Sequence, residues 1–250
     1  MGWKVRLAGQ RNDLILLGCI YTDEPQITFT DTHAFLESNR FNEFEEPSTV
    51  LEEGKKLMCS MRASVLGSID TVHPPAADNV VILPDGSPHV IHTLSPSQRT
   101  DTVPVVTNIS DTNTVRDLGS NCEEIKQVEG LPDLEYENLY IDLPEQDQKS
   151  SELIQLIDNG YDWVNLYRVY EWVRDEIGTN PSKNSWISEG DEDLFTRTAN
   201  SPEALGTQAR HADSNPAREP DDPMSRDKAV QLIYDVSREF LKERYNRFDL

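Results

Sequence analysis

Long hydrophobic runs are absent from this chain. Nothing approaches the roughly 18 consecutive apolar residues that a membrane-spanning helix requires, and mean hydropathy is -0.60. The opening residues, MGWKVRLAGQ, lack the apolar core of a secretory leader, and Arg6 stands where a myristoylation pattern needs Ser or Thr. A cytoplasmic protein without a membrane is therefore expected. Cysteine is scarce too: Cys19, Cys59 and Cys122 are odd in number, far apart and outside any CxxC or Cys/His cluster. Neither a zinc site nor a disulfide framework is expected, and each cysteine reads as a small buried hydrophobe or a spare thiol. His89 and His92 are the one close histidine pair, and their odd spacing sends them to opposite faces of a strand. No metal and no cofactor is expected. GxGxxG, P-loop, GxSxG and HExxH patterns are all missing.

Positive charge is in short supply as well. The chain has 23 Lys and Arg against 45 Asp and Glu, a net charge of -22. Residues 1–100 carry 8 basic against 13 acidic side chains, 101–195 carry 6 against 22, and 196–250 carry 9 against 10. Acid is thus concentrated in the middle, and the last segment is nearly neutral with seven arginines. Such a charge repels nucleic acid at long range, so RNA is disfavoured as a partner, although a local arginine patch still suits a phosphate. The acid excess, with 15 Arg against 8 Lys, also resembles a salt-adapted proteome, in which charge would carry no information about partners.

What is present falls into three parts. In WKVRLAG the residues Trp3, Val5 and Leu7 alternate with Lys4 and Arg6, the period of a half-buried strand. A short helix capped by Asn12 or Asp13 follows, then extended QITFTD after Pro25 and a hairpin partner in HAFLESN. Thr49 to Glu52 reads as a capping box opening a helix that ends at Leu66-Gly67. VVIL and HVIH flank an Asp85-Gly86 turn and form a second hairpin. This order predicts an α+β chain whose residues 1–98 form a ferredoxin-like sandwich, with a mainly antiparallel sheet and one extra strand. Residues 99–149, rich in Thr, Asn, Ser, Asp, Pro and Glu, read as an acidic linker or decorated loop with one or two short strands.

Residues 150–250 read as a four-helix domain. Ser150 caps the first helix, and Asp162 and Gly178 bound the second. In that second helix Trp163, Leu166, Tyr170, Val173 and Ile177 form an apolar stripe. A third, weaker helix is interrupted by Gly190, and Ser225 caps a last long one reaching about Asn246. The acidic runs Glu43 to Glu46 and Glu189 to Asp193 read as solvated loops, since neither has a calcium-loop pattern.

Between the third and last helices lies FTRTANSPEALGTQARH, residues 195–211, which gathers Arg197, Asn200, Arg210 and His211. Asn200 reads as a C-cap. Arg197 and Arg210 suit a phosphate and His211 suits proton transfer near neutral pH, the groups that metal-free RNA cleavage needs. The bland alternative pairs each arginine with a carboxylate of the bundle and makes His211 a helix-end cap.

Two resemblances bear on this stretch. With its WKVRLAG opening, DWVNLYRVYEWVRDEIG helix, FTRTANSPEALGTQARHA and PMSRDKAVQLI, the chain resembles a family of uncharacterised bacterial proteins of unknown function. Its C-terminal 100 residues resemble HEPN domains, helical bundles that are often RNases of toxin or antiviral systems. That resemblance implies Arg210 and His211 as catalytic residues, with Arg197 beside them; HEPN domains space the Arg and His by four to six residues, whereas here they are adjacent. The sequence thus leaves enzymatic activity open. The first expectation is a non-catalytic protein-interaction or scaffolding module that meets a protein partner or a second copy through the acidic connector and the exposed aromatics Trp163, Trp172 and Trp186. The other is a HEPN-like RNA-binding protein or metal-independent RNase.

Overall fold

A computed structural model describes residues 2–65, 74–91, 137–210 and 220–247. The chain divides at Glu137/Asn138 into two compact units. In the first, strands β1 (Lys4–Ala8), β2 (Gln26–Phe29), β3 (Ala34–Glu37), β4 (Ala76–Ile82) and β5 (Pro88–Val90) alternate with helices α1 (Arg11–Ile20) and α2 (Pro47–Ser64). The sheet order is β2-β3-β1-β4-β5, and every pairing is antiparallel. β3 lies between the parallel β1 and β2 that α1 connects, and β1 lies between the β3 and β4 that α2 connects. These interleaved crossovers make the ferredoxin-like sandwich expected from sequence, with β5 as the extra edge strand.

The alternation in β1 sorts its side chains as expected. Val5 and Leu7 are buried, whereas Lys4 and Arg6 lie on the other face and pair across strands with Glu37 and Asp78. Gly54 lets α2 approach the sheet closely: a Cβ there would stand 2.8 Å from a methyl of fully buried Val5. Tyr21, just past α1, donates a 2.8 Å hydrogen bond to the Ser64 hydroxyl at the end of α2. Helix starts differ from expectation. α2 begins at Pro47 rather than at a Thr49 box, with Glu46 as a cap that makes no side-chain bond, because Pro at the first position already has a helical φ. Cys19 is fully buried and disulfide-bonded, not the small hydrophobe or spare thiol expected. His92 lies outside the described residues, as do residues 99–136 of the expected linker.

The second unit is helical from its first residues. It contains α3 (Glu137–Ile141), α4 (Leu143–Gln146), α5 (Gln148–Asp158), α6 (Trp163–Ile177), α7 (Glu189–Ala199), α8 (Pro202–Leu205) and α9 (Arg226–Arg247). Residues 137–149, expected to be linker with short strands, are therefore mostly helical, and fully buried Leu143 and nearly buried Leu139 anchor them in the core. Ser150 is not the cap of α5. Asp147 is, accepting hydrogen bonds from the Ser150 backbone N–H (3.1 Å) and hydroxyl (2.6 Å).

α6 has the limits that its sequence announced. The Asp162 carboxylate accepts from the Asn165 N–H at 2.9 Å, and Gly178 takes the left-handed φ of 71° that closes the helix. Gly190 does not interrupt the third helix. It sits in the first turn of α7, with Glu189, Asp191 and Glu192, so the acidic run is a helix N-terminus and not a loop. Ser225 caps α9 through the Lys228 N–H. No helix among the described residues is long and apolar enough to cross a membrane.

Candidate functional site

The polar stretch from Phe195 to Arg210 winds off α7, through α8 and a single 3-10 turn (Gly206–Gln208), and back onto α6. Phe195 is its root. Fully buried, it lies 5.9 Å from the Trp163 ring, 6.0 Å from Tyr167 and 5.6 Å from Tyr170, centroid to centroid. Trp163 is thus core, 4% exposed, and not the partner-facing aromatic expected. Trp172 is half-exposed and packs edge-on against Phe240, 5.4 Å away.

Beside these rings Glu192 is 5% exposed and accepts hydrogen bonds from the hydroxyls of Tyr170, at 3.0 Å, and Ser182. Burial, reinforced by the Glu192 charge, pushes the Tyr170 phenol well above its usual range. This carboxylate was invisible in the sequence, where it looked like one more acid in a charged run. At the same helix start Asp191 is held below the usual carboxylate range by Lys228, 2.6 Å away, and by Ser188.

The sequence-derived candidates are placed as follows. Arg197 lies one turn along α7 from Asp193, Nη1 to Oδ2 at 3.4 Å. Arg210 contacts Glu171 on α6 at 2.9 Å and stacks its guanidinium 4.7 Å from the Tyr167 ring centre. Its backbone N–H returns to the Ala199 carbonyl at 2.9 Å. Asn200 is the C-cap of α7, its amide donating to the Thr196 carbonyl at 2.7 Å. His211 lies outside the described residues. Each described arginine therefore has a carboxylate of its own chain. Both pairs are partly exposed, so each contributes at most about 1 kcal/mol, enough to fix a short segment but not to hold the fold.

What Arg210 fixes is the wall of a cleft. Gly206 has φ 58° and ψ -127°, a backbone shape that disfavours any other residue. It turns Thr207 and Gln208 over the start of α6 while Arg210, two residues on, ties down the far end. Between this wall and α6 is a cleft of about 360 Å3, lined also by Asn159, Asp162, Asn165 and Arg168, with Val164 as an apolar element. Its floor is rigid. Buried Asn165 donates to the Leu156 carbonyl (2.9 Å) and the Gly160 carbonyl (2.6 Å), welding the end of α5 to the start of α6. Sequence reasoning missed Asn165, although an asparagine beside Leu166 on a buried helix face was the available signal. Among the described residues no group of three or more His, Cys, Asp or Glu is placed to hold a metal ion. Comparison of the chain with protein families, curated proteins and solved structures finds no match.

Proposed function

We propose that the protein is a non-catalytic protein-interaction or scaffolding module whose partner is another protein or a second copy of itself. The observation that supports this reading is that both described arginines of the candidate stretch are already engaged, Arg210 by Glu171 and Tyr167 and Arg197 by Asp193. A guanidinium that must leave a carboxylate to meet a phosphate gives little net stabilisation to a developing phosphorane. The net charge of -22 adds long-range repulsion of RNA. Trp172 and Trp186, both half-exposed, supply aromatic surface of the kind enriched at protein interfaces. A cytoplasmic location goes with this reading.

Fluorescence anisotropy with single-stranded RNA, followed by gel analysis of the same metal-free samples, separates this reading from a HEPN-like one. The scaffold reading predicts no saturable binding below about 100 µM at physiological salt and no cleavage. Micromolar, salt-sensitive binding or cleavage that is lost in Arg210→Gln and His211→Ala would replace it with the RNase reading.

A further inference from the structure

The cleft at the start of α6 contains a cation that no other described residue engages, and we propose that it is a binding site for a carboxylate group. Arg168 is exposed and lines the cleft, and among the described residues it makes no ion pair or hydrogen bond. That is unusual in a chain where acids outnumber bases 45 to 23. Its neighbours Arg174, Arg197 and Arg210 are all paired with carboxylates.

A guanidinium presents two parallel N–H groups at the spacing of a carboxylate's two oxygens. The remaining lone pairs of a bound carboxylate need neutral donors, and the cleft supplies them in the Thr207 hydroxyl and the Gln208 and Asn159 amides. The floor is organised before any ligand arrives, because Asn165 and Asp162 are committed to the α5–α6 junction. Asp162 also sets the charge that is tolerated. Its carboxylate lines the same cleft, so a dianion such as phosphate meets more like charge there than a monoanion does. The cleft volume, about 360 Å3, is at the small end of ligand sites and suits one acidic side chain or a small carboxylic acid. This inference does not depend on the scaffolding reading, since the carboxylate belongs equally well to a partner's Asp or Glu or to a free metabolite.

The test is an NMR titration of the 15N-labelled full chain with four probes: N-acetyl-glutamate methylamide, a Gly-Gly-Glu-Gly-Gly peptide, N-acetyl-glutamine methylamide and inorganic phosphate. Saturable shifts of the Arg168, Thr207 and Gln208 amides are expected with the two carboxylate probes, at a Kd of about 1 mM or tighter. Arg168→Gln, an exposed change, weakens them at least about tenfold, whereas Arg247→Gln at the far end of α9 leaves them unchanged. Tighter binding of the peptide assigns the source to a partner segment, and tighter binding of the free compound to a metabolite. The proposal is overturned if the shifts are absent, if they are equal with the glutamine probe, if phosphate binds more tightly, or if they persist in Arg168→Gln. None of these results bears on RNA binding, so the cleft and the scaffolding reading fail separately.

Discussion

Phe195→Ala is expected to remove about 3–5 kcal/mol from the helical unit, a larger effect than either of the arginine substitutions at the polar corner. Phe195 is fully buried and contacts the rings of Trp163, Tyr167 and Tyr170 together, so its removal leaves a cavity walled by three side chains too large to collapse into it. Each lost ring pair adds about 0.5–1.5 kcal/mol beyond area. In calorimetry the transition of this unit is expected to fall by roughly 15 °C, with Phe195→Leu recovering more than half of the loss. A drop of only a few degrees in the alanine variant would mean that this aromatic cluster is not the core of the unit.

Asp147 carries the second large effect, and its sign is fixed by pH. Burial alone would raise its carboxyl pKa. The hydrogen bonds from Arg244 and Ser150 more than reverse that and hold it at about 2, against an ordinary value of 3.8. The Arg244 guanidinium grips both oxygens, with Nε at 2.8 Å, and so joins the start of α5 to the last helix. A lowered pKa stabilises the fold wherever the carboxylate is ionised in the unfolded chain. The contribution is about 2 kcal/mol above pH 4 and is lost as pH falls from about 4 to 2. At neutral pH, Asp147→Ala removes the ion pair and the helix cap together, at a cost of about 3 kcal/mol. Urea melts at pH 7 and pH 2.5 provide the check. The variant should lie well below the parent at pH 7, and the gap should shrink to about half or less at pH 2.5. A gap that does not shrink in acid would show that the charge on Asp147 contributes nothing.

Sequence pattern was most informative where period and caps agreed. The alternation of Val5 and Leu7 against Lys4 and Arg6, and the Asp162 and Gly178 limits of α6, identified their elements because one local force dominates each. The strand–helix order pointed to the sandwich for the same reason. Pattern failed where a tertiary partner decides. Asp147 and Glu192 are buried acids whose partners, Arg244 and Tyr170, stand 97 and 22 residues away, so locally they resemble solvated charges. Leu139, in a short apolar group, and Leu143 just after it looked like parts of a polar linker, and only the helical unit's core explains them. The candidate stretch was legible as a polar corner, with Asn200 at its C-cap. Pairing of its arginines with carboxylates was the bland alternative there, but Glu171 as the partner of Arg210 was not legible, because it belongs to another helix.

Hydrogen–deuterium exchange on the full chain and on Arg210→Gln tests most directly whether Arg210 holds the 206–210 segment against α6. The backbone N–H groups of Ala209 and Arg210 are bonded to Gly206 and Ala199, so their exchange reports opening of that segment alone. Arg210→Gln is predicted to speed exchange there by about fivefold, equivalent to roughly 1 kcal/mol, while α6 and α9 exchange as in the parent. Unchanged protection of the backbone at positions 209 and 210 in the variant would contradict the structural role and leave the Arg210 cation available for chemistry.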